Sequence, residues 1–363
     1  MADLKDIIHL SNITGERVAV GVSGGADSLA LVLLLDELLQ VRGQRVVALT
    51  VDHGLRQESR QEAEYVASLM AERGIEHHIL TWKGDKPHTG VEEMARLVRY
   101  RLLREWCEAN SVETLCVAHH LQDQAETFLI RLQRGSGLTG LCGMAEVSFL
   151  ENLKLVRPLL HISPEALKAY LREKGIHWVE DPSNQSDDFL RCRIRKFLPT
   201  FEEVVGISAQ RLVDTMQVLA RSKDYIQQQV EKFEQANVTF YEQCGACVSL
   251  KELSHQHEEI IYQVLRQLIK NIGGKHYVAR AEDVERLASR IFDDKMFRGA
   301  TLGQCEIFVS RGKLWFIQEL KEKRQLPKKV WSDFIKLFPE YQKMRLPYKL
   351  RVVLVKNKMP IEF

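Results

Sequence analysis

No run in this 363-residue chain approaches the roughly 20 consecutive apolar residues that span a bilayer. The sequence therefore offers no candidate transmembrane helix. Its first residues, MADLKDIIHLSNIT, carry acids early and lack the basic-then-apolar order of a signal peptide. The expectation is a cytoplasmic protein with no membrane partner. Cysteines are few, odd in number and scattered. The seven, Cys107, Cys116, Cys142, Cys192, Cys244, Cys247 and Cys305, argue against a secreted disulfide framework. Only Cys244 and Cys247 have ligand-like spacing. No second CxxC or HxxxH completes a zinc site, so they read as incidental thiols. There is no internal repeat and no low-complexity tract.

What is present is ordinary for a globular protein, with 45% hydrophobic and 28% charged residues. The length suits two or three domains. The net charge of +2 is unevenly spread. From Lys321 to the end there are twelve Lys/Arg against four Asp/Glu, which leaves the preceding residues with a net of −6. Such asymmetry fits a footprint for a polyanion, or else a solvated basic tail.

The stretch that organises the chain is RVAVGVSGGADSLALVLLLDELLQ, Arg17 to Gln40. Alternate valines make a buried strand, Gly24 and Gly25 break it, and a long apolar helix follows. The loop Ser23, Gly24, Gly25, Ala26, Asp27, Ser28 has no side chain at its centre. An anion can approach its backbone, with the helix-start amides and the positive end of the helix dipole aimed at it. Two hydroxyls and a carboxylate beside that anion suit pyrophosphate oxygens and a magnesium ion, with Asp27 as the ligand. This loop is neither a Walker A sequence nor GxGxxG. The competing reading is a plain β–α turn whose glycines serve packing.

Further strands are expected at 45–51, 77–82 and 114–118, alternating with helices at 58–73 and 91–109. This rhythm predicts an α/β fold with a doubly wound, mostly parallel sheet. Strand C-termini then share one edge, which gathers SGGADS, VDHGLR (with Asp52 and His53) and AHHLQDQAET. In the last of these, Asp123 and Glu126 fall on one helix face. They can hold magnesium, orient a cation or accept a proton, although Asp123 could instead cap the helix. His119 and His120 make an improbable metal pair, because adjacent residues at a strand end point to opposite sides. Arg96 and Arg99 lie close together with Tyr100 on the 91–109 helix, either as a solvated face partnered by Glu92, Glu93 and Glu105 or as a ridge that contacts phosphate. Arg131 and Arg134 enter a glycine-rich loop, RGSGLTGL. Arg191, Arg193 and Arg195 alternate in a basic segment that Pro199 is expected to stop. These seven arginines could meet phosphates. Beyond that segment a mainly helical α+β region is expected, with strand-like runs at 305–309 and 313–317.

SGGADS after a parallel strand resembles the PP-loop of the ATP pyrophosphatases. In order, GVSGGADS, VDHGLR, GVEEMARLVRYRLL, AHHLQDQAETFLIRLQRGSGLTGL, RPLL and VEDPSNQSDDFLRCRIRKFLP resemble the tRNA(Ile)-lysidine synthetase family. The likeness covers about residues 15 to 200 and departs at Gln122, where an acid is usual, and at Cys192, where Asn is common.

The resemblance implies a catalytic domain over 1–203, a tRNA-binding region over 204–320 and a basic C-terminal segment over 321–363. It implies ATP, Mg2+, free lysine and a tRNA(Ile) with a CAU anticodon, and leaves a homodimer open. ATP adenylates the C2 oxygen of the wobble cytidine, and the lysine ε-amine then displaces AMP. Ser23 to Ser28, Asp52 and His53 would bind ATP. Asp27, Asp123 and Glu126 would be catalytic, and the seven arginines would contact tRNA. Two alternatives remain at this point: a tRNA thiolase of the same superfamily using Cys244 and Cys247, and a nucleotide-binding protein without turnover.

Overall fold

The computed structural model describes residues 4–55, 58–84, 86–87, 89–180, 190–242, 244–274, 279–294, 296–319, 328–342, 344 and 346–358. A short helix α1 (Leu4–Ile7) leads to β1 (Arg17–Gly21), whose Val18, Ala19 and Val20 are fully buried. That is the pattern of a strand covered on both faces. Helix α2 (Ala26–Gln40) is also apolar nearly all round, with Leu29 to Leu35 and Leu39 buried. A helix of that kind must sit under other elements. Here the later helix Pro164–Glu173 covers it from outside.

The chain continues through β2 (Arg45–Asp52), α3 (Glu58–Glu72), β3 (Glu76–Thr81), α4 (Val91–Ala109), β4 (Thr114–Cys116) and α5 (Leu121–Gln133). A one-turn helix α6 (Leu138–Leu141), the hairpin β5 (Val147–Leu150) and β6 (Leu153–Val156), and α7 (Pro164–Glu173) follow. The sheet order is β3-β2-β1-β4-β6-β5, parallel except for β5. Strand β1 pairs with β2 on one side and β4 on the other, with Val20 opposite both Ala48 and Cys116. Strand order reverses there, so the crevice at the C-terminal ends of β1 and β4 is where an open α/β sheet binds its ligand.

Helix α8 (Leu190–Val205) is longer than expected, because Pro199 lies inside it instead of ending it. Proline removes one helical amide bond, at a cost of about 3 kcal/mol. Burial of Leu198 with Leu121, Ala125 and Phe128 of α5 and with Leu212, Val213 and Met216 offsets that cost. Those last three residues open α9 (Ala209–Asn237). The chain divides into two compact units, 1–220 and 221–363.

The second unit is built on an antiparallel sheet ordered β7-β8-β11-β10-β9. Its strands are β7 (Val238–Tyr241), β8 (Gly245–Ser249), β9 (Ala300–Leu302), β10 (Cys305–Ser310) and β11 (Lys313–Gln318). The helices here are α10 (Leu250–Ser254), α11 (Glu258–Gly273), α12 (Ala281–Phe292), α13 (Lys328–Leu337) and α14 (Tyr348–Lys358). Helices α11 and α12 cover one face through Val264, Leu268 and Leu287 against Val248, Ile307 and Phe316. Helices α13 and α14 cover the other through Phe334, Leu350 and Val353 against Trp315 and Ile317. The segment read as a basic tail is therefore, over its described residues, part of a folded layer. Its apolar residues at this spacing are what the charge count concealed. Lys349 pairs with Glu306, and Lys358 with Glu242, so part of the positive charge is neutralised internally.

Glu37 of α2 joins three elements of the first unit. It pairs with Lys5 at 2.8 Å and Lys174 at 2.7 Å, and accepts from the Tyr170 hydroxyl at 3.1 Å. Burial alone would raise its pKa, but the bonds from Lys174, Lys5 and Tyr170 outweigh it and hold the carboxyl at about 2. A carboxyl held low stabilises the fold above its unfolded pKa, and that contribution is lost as pH falls through the folded one. Glu37→Gln should cost about 1 kcal/mol near neutral pH, since solvent screens a group this exposed. In chemical denaturation the gap to wild type should close as pH falls from 4.5 to about 2. A gap that stays constant over that window would exclude these ion pairs as its cause.

Candidate active site

The loop after β1 forms as its sequence requires. Gly24 sits at φ +82°, which side chains rarely adopt, and its carbonyl accepts from the amide of Val179 at 3.0 Å. Gly25 stands at the N-cap of α2 and supplies no side-chain cap to the first amides. The Ser28 hydroxyl closes the loop from inside. It accepts from the Ser23 amide at 3.0 Å and donates to the Gly25 carbonyl at 3.0 Å. The Ser23 hydroxyl lies 3.2 Å from it, on an exposed residue. Asp27 follows Ala26 in the first turn, and its Oδ1 is a buried atom without a hydrogen-bond partner.

A cleft opens over this loop. Ser23, Gly25, Asp27 and Ser28 form its floor, and Leu49 and Val51 of β2 one wall. Arg96, Arg99 and Tyr100 of α4 face it, together with His119 beyond β4. The Arg96 guanidinium lies 5.3 Å from the centre of the Tyr100 ring. Burial pushes His119 down to about 4, against the pull of Asp123 and with the help of Arg157 and Arg96. Its imidazole is thus neutral at physiological pH.

Asp52 and His53 lie at the end of β2. The Asp52 carboxylate accepts from the Gly54 amide at 2.9 Å and the Ser59 hydroxyl at 2.8 Å, so it shapes its own loop. His53 packs edge-on against Trp82 with ring centroids 6.2 Å apart, and both its nitrogens are buried without partners. Burial, then the charge of Arg99, lowers it to about 4.

Helix α5 carries the densest cluster. His120 is its N-cap and Asp123 its third residue, and they form a reciprocal capping box. The His120 amide donates to Asp123 Oδ2 at 3.0 Å, and the Asp123 amide donates to His120 Nδ1 at 3.4 Å. With Nδ1 accepting, the proton falls on Nε2, which lies 3.5 Å from Asp27 Oδ2. His120 thus links the loop after β1 to the helix after β4. Burial pulls His120 down, but the bond to Asp27 and the charge of Asp123 prevail and raise it. Burial would raise Asp123, but the charges of His120 and Arg191 hold it below the usual carboxylate range.

Arg191 and Arg195 of α8 close the cluster. Arg191 donates to Glu126 Oε2 at 2.6 Å and to Asp123 Oδ1 at 2.8 Å. Arg195 donates to both oxygens of Glu126, at 2.6 and 3.2 Å. The Glu126 side chain has no exposed surface, and such pairing offsets the cost of taking a carboxylate out of water.

The structure therefore brings Asp27, Asp123, Ser23, Ser28, Arg96 and Arg99 together, and Arg191 joins Glu126 to Asp123. It does not present all the expected phosphate contacts outward. Arg131 donates to the carbonyls of Gly140 at 2.6 Å and Gly143 at 2.8 Å. The guanidinium groups of Arg191 and Arg195 are engaged by carboxylates. Arg134 and Arg193 are exposed. The DPSN stretch at 181–184 lies outside the described residues.

Three residues escaped the sequence reading. His119 and His120 read from sequence as a poor metal pair or as structural histidines, while the spacing from His120 to Asp123 is that of a capping box. Gln124 was passed over. Its side chain donates to the Met144 carbonyl and accepts from the Met144 amide, both at 2.8 Å, and with Arg131 it clamps the glycine-rich loop. Gly143 in that loop has φ +71°, and a Cβ there would stand 1.8 Å from Met216 Cε. In the second unit, Cys244 and Cys247 are buried free thiols. Asn357 donates to the Cys244 sulfur at 2.9 Å. Among the described residues no helix is long and apolar enough to cross a membrane.

Gln124→Ala removes both bonds to Met144 and should cost about 2 kcal/mol. Amide exchange at Met144 should accelerate while exchange in β1 holds. Equal acceleration in both places would mean global destabilisation instead of a freed loop.

Residues 3–201 match the family model of the PP-loop domain. Over 301 residues the chain is 39% identical to a tRNA(Ile)-lysidine synthase of Hyphomonas neptunium, covering 81% of this chain and 79% of that protein. Over 305 residues it is 34% identical to the tRNA(Ile)-lysidine synthase of Wolbachia pipientis, covering 84% and 70%. Among solved structures, the U34-tRNA thiolase of Methanococcus maripaludis aligns with a TM-score of 0.51 at 18% identity, over 60% of this chain and 76% of that one. At that identity the likeness is one of fold.

Proposed function

The chain belongs to the tRNA(Ile)-lysidine synthase family, and from that premise we propose how its residues divide the reaction. It is a ligase that forms lysidine on tRNA(Ile), with ATP as the energy source bound by its PP-loop domain. In our reading the C2 oxygen of the wobble cytidine of a CAU anticodon attacks the α phosphate of ATP, and pyrophosphate leaves. The ε-amine of free lysine then adds at C2, and AMP leaves with the activated oxygen. We place the reaction in the cytoplasm, with the ATP, lysine and tRNA it consumes.

The observation that carries this reading is the link from Asp27 through His120 to Asp123. It couples the phosphate loop to a carboxylate cluster, as two half-reactions sharing one activated base require. The Ser23 hydroxyl and the amides that open α2 suit the phosphate oxygens. Ser28 acts behind them by holding the loop closed.

The partnerless Asp27 Oδ1 fits a hard cation such as Mg2+, which takes one or two carboxylates and completes its shell with phosphate and water. When bound, the ion would offset the negative charge that builds on the phosphates. Arg96 and Arg99 face the same cleft, so the phosphates they meet lie beside the reacting base instead of on an outer surface. Asp52 and His53 bound the β2 side. Their part in binding ATP lies in shaping and lining that end.

A free lysine amine has a pKa of about 10.4 and must lose a proton before it attacks. Asp123, held ionised, is well suited to attract the ammonium and less suited to keep its proton. Glu126 has no exposed surface and acts through Arg191 and Arg195, as a positioning residue. Arg131 positions the glycine-rich loop. Arg134 and Arg193 remain as outward contacts for tRNA phosphates.

The decisive assay combines the full chain, a tRNA(Ile) transcript with a CAU anticodon, ATP, Mg2+ and labelled lysine. Incorporation should disappear when the wobble C is replaced by U. It should fall by about 100-fold or more in Asp27→Ala, the scale of losing a preorganised charge contact. Asp123→Asn should raise KM for lysine roughly tenfold with little change in KM for ATP, the scale of one hydrogen bond to a charged group. No incorporation by the wild type, or an unaffected Asp27→Ala, would overturn the reading.

A further inference from the structure

Helix α8 has two faces with different duties. Arg191, Arg195 and Leu198 point inward and dock it on α5. The opposite face carries Arg193, Phe197, Phe201 and Val204, at the i, i+4, i+8 and i+11 spacing that lines one side of a helix. Phe197 is 52% exposed and Val204 77% exposed. The Phe197 and Phe201 rings lie 5.7 Å apart, tilted by 45°. Phe197 is exposed with the half-buried Phe201 beside it, on a helix that has already buried its other face, so the Phe197 ring is not needed for the core.

We propose that this outer face of α8 is a stacking platform for the unpaired anticodon-loop bases beside the wobble cytidine. The inference rests on the family reading for the identity of the RNA, but the surface is argued from its own chemistry. Aromatic rings set beside cations are what single-stranded nucleic acid uses, with bases stacking on the rings and phosphates meeting the charges. The first two turns of α8 supply Arg193 and Lys196. Glu202 and Glu203 lie near its other end, so the strand runs past the rings with its phosphates toward residue 193. Position supports the same occupant. The inner face of α8 contacts Asp123, itself one histidine away from Asp27, and a helix is only about 10 Å across. A cytidine turned into the cleft would leave its neighbours within reach of Phe197. The ion pairs on the inner face hold the platform at a fixed distance from the chemistry.

The test uses the full chain and a tRNA(Ile) anticodon stem-loop transcript. Phe197→Leu keeps an apolar side chain but removes the π face. It should weaken RNA binding roughly 5- to 100-fold, the range for one base stacked on an aromatic ring. KM for ATP and for lysine should hold. Phe197→Trp should restore binding, and its fluorescence should be quenched by the loop and not by duplex RNA. Normal RNA affinity in both Phe197→Leu and Phe201→Leu would overturn the platform. So would a dimer in the wild type that dissociates in Val204→Lys with RNA binding intact, since the face would then join two copies of the chain. Either result leaves lysidine formation by the wild type standing, so failure here is separable from failure of the family reading.

Discussion

The first unit's functional end depends on two carboxylates and two guanidinium groups that neutralise each other where water does not reach Glu126. Glu126 alone would be costly at that depth, and removing its partners leaves an uncompensated charge worth about 3–5 kcal/mol. The bidentate geometry of Arg195 on Glu126, and the way Arg191 spans both acids, fix α8 in register on α5. The same contacts hold Asp123 ionised, orient His120 and thereby place a proton donor beside Asp27. Docking and electrostatics at this site are one arrangement and not two.

Much of this was legible in the residues. The β-branched strand, the glycine break and the apolar helix required a parallel α/β unit, and alternation placed three segments at one sheet edge. The carboxylates at Asp123 and Glu126 were found because helical spacing puts them on one side. Their partners were not, because Arg191 and Arg195 are more than sixty residues away and a basic alternation looks the same whether it faces phosphate or a buried acid. Arg131 misled for a related reason. An arginine beside a glycine-rich loop can serve a ligand or the loop's own carbonyls, and only coordinates distinguish the two.

The second unit was harder to read. Strands β7, β8 and β9 are three to five residues long, too short for a period of two to stand out in the sequence. Gly245 to Val248 are all buried because helices lie on both sides of that sheet. The last helices were obscured by their charge. Twelve cations from Lys321 onward suggested a tail, while Trp331, Phe334, Leu350 and Val353 between them close a hydrophobic layer. The count of charges describes the surface of those helices and says nothing of their underside.

Gly143 shows how tightly the clamped loop is built. The volume that a methyl group there would need already belongs to Met216, and the backbone is turned to a conformation that side chains resist. The Gln124 amide that grips Met144 stands 2.8 Å from the same point, so a side chain at residue 143 would have to displace both neighbours and would still sit at a strained φ. Any side chain admitted at this position would come at the expense of the clamp, and the loop is held by a missing atom as much as by the bonds around it.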